Sequence, residues 1–308
     1  MARHRLLRLL PTALGLAAVL TPLAPARADG VVSRVGRSGE LVVTGVPGSA
    51  PLLSLDAKGQ PQGYAMAIID QVQGELSRAL GKPVRVRFIS SASTAAASET
   101  IASGKADLAC GAPFSWDQDQ QVDYSLPIGL SGLRLLAPRG RFDGSPAGLS
   151  GKRIGAVEGS LALTELKGTQ PAAIAVTFPN LSAAVAALKA GRVEGVIGDT
   201  LLLAGQANSQ GASTMALTPE DPFERYAIAC LVPENDSSFR NLVNLAIARL
   251  LQGYLDGNPE AVQAINRWVG PDSSLGLPSE RIRTYFETVL LGVESIRSSD
   301  TPAAGSGS

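Results

Sequence analysis

Side chains that commonly carry chemistry are few in this 308-residue sequence: one histidine, His4, and two cysteines, Cys110 and Cys230. His4 sits among Arg3, Arg5 and Arg8, ahead of an apolar run, Leu9–Leu23, that Pro11 interrupts, and Ala24-Pro25-Ala26-Arg27-Ala28 follows. A basic start, a short apolar middle and an A-x-A step at Ala26 and Ala28 predict a cleaved secretory signal over residues 1–28. The run is short and proline-broken for a ~20-residue membrane span, and no cysteine follows it to take a lipid. Loss of this segment removes four of the 27 basic residues and none of the 27 acidic ones. The mature chain then stands near −4 and has no histidine. Ser-His-Asp and Cys-His nucleophiles, imidazole zinc sites and a histidine pH switch are thereby excluded. The cysteines form no C-x-x-C pair and have no basic neighbour, which argues against redox catalysis. Without a basic stripe, and with 5% aromatic residues, nucleic-acid binding is not expected. No metal or cofactor is called for, and no catalytic residue is assigned.

The acids with defined settings lie at strand ends, and an approximate repeat accounts for their positions. Ile101-Ala-Ser-Gly104-Lys105-Ala-Asp107-Leu-Ala-Cys-Gly111 aligns with Leu188-Lys-Ala-Gly191-Arg192-Val-Glu194-Gly-Val-Ile-Gly198. Each reads as a helix end, a glycine cap, a basic–x–acidic turn and a short buried strand. Leu41–Val46 with Pro47-Gly48-Ser49 similarly matches Arg153–Val157 with Glu158-Gly159-Ser160. Two α/β units follow from this. Ile69, Val72, Leu76 and Leu80 give Tyr64–Leu80 a helical face that Gly81-Lys82-Pro83 ends, and Val84–Ile89 reads as a strand. Asn180 caps a helix with Leu181, Ala184, Val185 and Leu188 inward. Gly140–Ser150 reads as a loop and Tyr226–Val232 as a strand. Helices are expected over Asp236–Gln252, Pro259–Val269 and Ser279–Ile296, then a disordered tail at 298–308. Such alternation implies mostly parallel sheets flanked by helices.

The ordered set of motifs resembles the family 3 extracellular solute-binding proteins, the periplasmic receptors of polar amino acid importers. It comprises Gly39-Glu-Leu-Val-Val, Gly59–Gly63-Tyr64, Gly104-Lys105-Ala-Asp107, Gln121-Val-Asp-Tyr-Ser125-Leu-Pro127, Leu149-Ser-Gly-Lys152-Arg-Ile-Gly155, Gly159-Ser160, Gly191-Arg192-Val-Glu194, Asp199 and Asn266-Arg-Trp268-Val-Gly270. The resemblance spans roughly residues 39 to 270. It implies an α/β, two-lobed periplasmic-binding-protein fold of type II. Lobe 1 would comprise 39–130 plus 227–297, and lobe 2 would comprise 131–226. The ligand would lie in the cleft outside the carboxyl ends of the strands, with hinge closure around it.

Carried onto this chain, the family's site falls on Gly111, Ser115, Trp116, Gln118, Ser160, Leu161 and Asp199. Asp199 stands at the ammonium-binding position, although Asp before Thr200-Leu-Leu-Leu is equally a helix N-cap, and both roles are compatible. Ser160 stands where a hydroxyl contacts the ligand carboxylate, but a helix start is its stronger reading. Gln118 occupies the position of the carboxylate-gripping arginine, and losing a charge-assisted pair costs on the order of 1.5–3 kcal/mol. Pro113 replaces a hydroxyl residue, Leu161 replaces threonine, and Pro51-Leu52-Leu53 stands where an aromatic is usual. Trp116 and Phe114 could stack on a ligand or pack at a lobe edge. A shifted alignment would bring Arg134 or Arg141 nearer. Glu158 and Asp199 are the only acids expected near the cleft, which should be poorer in cations than an amino acid receptor's.

The same fold places Cys110 beside Cys230. Export invites a disulfide, but adjacent strands need favourable geometry, and two buried free thiols are the expectation here. In function, the leading reading is a monomeric, non-enzymatic periplasmic receptor presenting a small-molecule ligand to an inner-membrane permease. An orphan member acting in signalling or in secreted-peptide maturation is the alternative. A cyclohexadienyl dehydratase-like enzyme ranks third, because it would need a cationic grip on carboxylates.

Overall fold

The computed structural model describes residues 30–208 and 214–292. The expected signal, the 298–308 tail and the stretch from 293 to Ile296 lie outside the described residues. The chain opens with α1 (Val31–Ser38), β1 (Glu40–Gly45), the small hairpin of β2 (Ser54–Leu55) and β3 (Pro61–Gln62), α2 (Tyr64–Leu80), β4 (Arg85–Ser90), α3 (Thr94–Ala102), β5 (Ala109–Pro113) and β6 (Val122–Tyr124). A long strand, β7 (Gly129–Pro138), leads to α4 (Pro146–Leu149), β8 (Arg153–Val157), α5 (Leu161–Thr169), β9 (Ile174–Phe178), α6 (Leu181–Lys189), β10 (Gly195–Asp199), α7 (Thr200–Asn208) and β11 (Met215–Thr218). A second long strand, β12 (Glu224–Pro233), returns the chain to the first group, followed by α8 (Ser237–Leu255), α9 (Pro259–Val269) and α10 (Ser279–Leu290).

Local chemistry sets these boundaries. Gly81, at φ 64°, closes α2 with its N–H on the Arg78 carbonyl, while Lys82 N–H reaches the Ser77 carbonyl. Ile69, Val72 and Leu76 are fully buried on the face that α8 covers. The side chains of Ser93, Ser160 and Asn180 accept backbone N–H bonds at the starts of α3, α5 and α6.

The repeated turn works the same way in both halves. After α3 and α6 the chain reverses through Gly104 (φ 70°) and Gly191 (φ 67°). Three residues on, the motif's acid folds onto the strand that opens its half. Asp107 N–H donates to the Val42 carbonyl and Asp107 Oδ2 accepts from Val42 N–H, each at 2.8 Å. Glu194 N–H donates to the Arg153 carbonyl at 2.8 Å, and Glu194 Oε2 accepts from Arg153 N–H at 3.2 Å. Arg34 of α1 pairs with Asp107, and Arg141 and Lys152 pair with Glu194. Burial holds the Asp107 carboxyl above its ordinary pKa despite Val42 N–H and Arg34, whereas Arg141 holds the more exposed Glu194 below its own.

The strands of the repeat are parallel: β1 with β4, β8 with β9 and β10 with β8. A parallel bridge from Val43 to Leu108 ties β1 to the start of β5. The antiparallel ladders come chiefly from β7 and β12, which pair with each other over Gly129–Leu133 and Glu224–Ile228. Beyond that overlap β12 continues along β5 and β6, and β7 continues along β10 and β11. The two long strands thus join one α/β lobe to the other.

Several expectations are revised. Gly140–Ser150 contains α4, whose start is capped by Ser145 Oγ accepting Gly148 N–H. The last helix ends at Leu290. The helix α1, absent from the sequence expectations, packs on the first group through Val31 N–H on Asp236 Oδ2 at 2.7 Å. Cys110 and Cys230 form a disulfide. They are direct partners in the β5–β12 ladder, beside an irregularity between Ala229 and Cys230, with Cα atoms 3.9 Å apart. Free thiols were expected because adjacent strands need favourable geometry; the register that sets these two residues directly opposite each other overturns that expectation. The bond closes a span of 120 residues, so Cys110→Ala/Cys230→Ala should lower unfolding stability by about 2–4 kcal/mol. Denaturant melts of the variant check this, and Ellman titration of unfolded wild-type protein should find no thiol.

Candidate functional site

The carboxyl ends of β1, β5, β8 and β10 and the starts of α3, α5, α6 and α7 open onto one cleft of about 540 Å³ between the lobes. This follows from the clamped turns. Each holds a sheet at its opposite end, leaving the loops Val46–Ser49, Ser91–Ala95, Glu158–Leu161 and Pro179–Leu181 to form the walls. The walls are largely aliphatic, with Leu52, Leu53, Leu133, Ile197, Leu202 and Ile228 prominent. Where an aromatic was missing from the sequence, Leu52 and Leu53 are buried against the cleft. The Pro51 and Leu52 carbonyls accept the first N–H groups of α2, from Tyr64 and Ala65. Gly63 allows this close approach, since a Cβ there would lie 2.3 Å from the Leu52 oxygen.

Asp199 lines the polar part of the cleft and is half-buried there. Its Oδ1 accepts from Leu201 N–H at 2.8 Å and Leu202 N–H at 3.1 Å, making it the N-cap of α7. Its Oδ2 accepts from the Tyr226 hydroxyl at 2.7 Å. A carboxylate offers about four acceptor positions, so one remains for a further donor. No Lys or Arg lies among the described residues that line the cleft. Burial without a counter-ion pushes the Asp199 carboxyl above its ordinary 3.8, an effect that the Tyr226 hydroxyl and the α7 amides only partly offset. Ser131, opposite Tyr226 in the ladder, adds a contribution smaller than that of Tyr226 but larger than those of the α7 amides, although its buried hydroxyl makes no conventional hydrogen bond. Tyr226 is itself shifted upward, by burial first and then by Asp199.

Of the other sequence-predicted positions, Gly111, Ser115, Gln118, Ser160 and Leu161 all line the cleft. Gln118 Oε1 accepts from the Tyr124 hydroxyl at 3.1 Å, which orients the amide. Ser160 Oγ donates to the Val157 carbonyl at 2.7 Å and accepts Leu163 N–H at 3.2 Å, so its polar capacity goes mainly to the helix start. Gly111 has φ 91° and faces Ala65 and Leu52. Trp116 is not among the lining residues: it is 75% exposed and packs edge-on against Phe114, centroids 4.8 Å apart. Phe114 turns instead toward Tyr124, also at 4.8 Å. Neither arginine considered as a substitute reaches the cleft. Arg134 follows the lining residue Leu133 and so faces the other side of β7, toward the Glu220 carbonyl, and Arg141 is 2.7 Å from Glu194.

Sequence reasoning missed Tyr226, Asp117 and Asn180 as lining residues. Asp117, next to Trp116, had no periodic or motif signal. Tyr226 begins the predicted strand Tyr226–Val232, and only the β7–β12 pairing brings it to Asp199.

With this geometry known, the comparisons with other proteins become interpretable. A model of the bacterial extracellular solute-binding proteins, family 3, matches residues 41–270. Among solved structures, the chain is similar to a cysteine-binding protein from Campylobacter jejuni (18% identity, TM-score 0.70, covering 82% of this chain and 98% of that one). It is also similar to the solute receptor for L-cysteine of Neisseria gonorrhoeae (21%, 0.64, 78% and 95%). A third is an ancestral amino acid-binding protein described as a precursor of cyclohexadienyl dehydratase (17%, 0.66, 79% and 100%). At these identities the likeness is one of fold. A sequence search of curated proteins finds no significant match.

A buried carboxylate with no cation has a measurable signature. Because its folded-state pKa lies above the unfolded value, the folded state holds the proton more tightly, and stability falls as pH rises from about the ordinary carboxylate range through the raised value. Asp199→Asn keeps a capping oxygen and removes that charge, so its melting temperature should equal or exceed wild type at pH 7, with the difference shrinking toward pH 4. Asp199→Ala loses the cap and leaves the Tyr226 hydroxyl unpaired, at a cost of about 2 kcal/mol or more. Equal destabilisation in both variants at pH 7 would contradict the uncompensated charge.

Proposed function

Since the chain belongs to the bacterial extracellular solute-binding proteins of family 3, we propose that it captures one small ligand between its lobes by hinge closure and presents it to a membrane partner. The lobes in this reading are 39–130 plus 227–297 and 131–226, joined by β7 and β12. The observation that carries it is the 540 Å³ cleft, walled from both lobes and placed at the carboxyl ends of the repeat strands. Gly111, Ser115 and Gln118 supply one wall, and Ser160, Leu161 and Asp199 the other. Among the described residues, β7 and β12 carry the chain between the walls, an arrangement that supports a hinge. Export of the protein agrees with the family's extracellular character and with the expected signal.

The solved relatives bind amino acids by their descriptions, but a cleft without a basic side chain is poorly suited to an α-carboxylate. That departure favours a second reading, an orphan receptor serving signalling or secreted-peptide handling without its own importer. Genes beside this one discriminate: a permease and ATPase support transport, and a peptide precursor with a radical enzyme supports the orphan role. An enzymatic reading is weaker, because prephenate-like acids need the same missing cation. Turnover of prephenate or arogenate by the purified protein would revive it.

Small molecules retained by protein purified from its native host should be identifiable by mass spectrometry, and adding one back should reduce the radius of gyration in solution scattering. An unchanged radius with every retained solute would count against capture by closure. Gln118→Arg should gain affinity for carboxylate ligands such as glutamate in calorimetry. Unaltered heats with acidic ligands would show that residue 118 does not face the bound solute.

A further inference from the structure

Resting on that receptor reading, we propose that the solute is an organic cation with an apolar body and no carboxylate, its ammonium held by Asp199. Three features of the cleft converge on this. The first is charge. Its charged lining residues are Asp117, Glu158 and Asp199, all acidic, and no Lys or Arg accompanies them among the described residues. Asp117 and Glu158 are exposed at the rim, where like charges bordering low-dielectric walls raise the local concentration of cations and repel anions. The second is the state of Asp199. Leu201 N–H, Leu202 N–H and the Tyr226 hydroxyl fix its orientation and occupy three of its acceptor positions. A largely desolvated carboxylate without a counter-ion is a cost to the unliganded protein, and an ammonium in the cleft removes it. The third is shape and polarity. Val46, Pro47, Pro113, Val157, Leu161 and Leu202 line the cleft and stay partly exposed, offering aliphatic surface suited to a hydrocarbon body.

The helix starts at the cleft pull the other way, since each N-terminus favours an anion. Here each already carries a side-chain cap on part of its free N–H groups. Ser93 takes Ala96 N–H, Ser160 takes Leu163 N–H, Asn180 takes Ala183 N–H, and Asp199 closes α7 with a full negative charge. Capped dipoles do not replace the missing guanidinium, and Leu161 supplies no hydroxyl to help them. A carboxylate entering this cleft would lose its hydration against aliphatic walls without gaining a charged partner.

Phenethylamine, L-phenylalanine and 3-phenylpropionate test the assignment, because they share one apolar body and differ only in ammonium and carboxylate. In calorimetry at pH 7.5, phenethylamine should bind about tenfold or more tightly than L-phenylalanine, and 3-phenylpropionate should give no heat. Asp199→Asn, shown folded by its melting temperature, should weaken phenethylamine about tenfold, and Asp117→Asn/Glu158→Gln should weaken it by a smaller factor. Stronger binding of either carboxylate, silence from all three compounds, or an unchanged phenethylamine affinity in Asp199→Asn would overturn the cation assignment. Solution scattering separates this failure from the other: compaction by some non-cationic solute from a host extract sinks the cation alone, and compaction by none sinks the receptor reading with it.

Discussion

Two reciprocal clamps hold the architecture in place. In each half an acidic side chain and its own backbone N–H grip one residue of the opening strand, Val42 through Asp107 and Arg153 through Glu194. Hydrogen bonds to a charged acceptor are the stronger kind, contributing about 1.5–3 kcal/mol net, but position matters here more than energy. By fixing where a helix exit meets the first strand, each clamp sets the register of its sheet at one end. The opposite ends, with their glycine-containing loops and capped helix starts, are then left facing one another. The strand ends that open onto the cleft are thus set by contacts made on the far side of the sheets.

The same backbone plan serves two kinds of acid. Asp107 and Glu194 are paired with arginine and occupied by amides, so they are structural. Asp199 ends the strand that Glu194 begins, yet faces the cleft and meets only neutral donors. Capping alone would be served as well by asparagine or serine. A charged residue there raises the cost of the empty state, as expected where a site is organised around something the protein does not itself supply.

How much of this was legible in the sequence depends on whether the cause was local. The Gly81 stop of α2, the Asn180 cap and the Gly104 and Gly191 turns were readable because each acts within four residues of itself. The repeat also revealed both clamped acids, though not what they grip, since Val42 and Arg153 lie 65 and 41 positions from their partners. The helix α1 was missed because it is eight residues long, contains Gly36 and has no side-chain cap at its start, although Val31 and Val35 lie buried on one face. The cysteine pair was placed on neighbouring strands, but its bonding depended on the register that sets Cys110 directly opposite Cys230, which no sequence pattern announces. Trp116 was credited with the cleft by sequence proximity, and the turn that begins at Ser115 carries it outward. Tyr226 was readable only as a strand residue, because its partner lies 27 positions upstream across the crossover.

The pairing of β5 with β12 also orders the way this molecule can assemble. Elements from β7 to β11 form one uninterrupted stretch, whose parallel strands and flanking helices can meet without help from either terminus. The other group is split: β1, β4 and β5 emerge early, but their sheet is completed only by β12, and α2 is covered only when α8 arrives. As the chain is made from its N-terminus, the first group to emerge is therefore the last to be finished. Its half-built sheet, with a bare β5 edge, waits through more than a hundred residues of synthesis before β12 covers it.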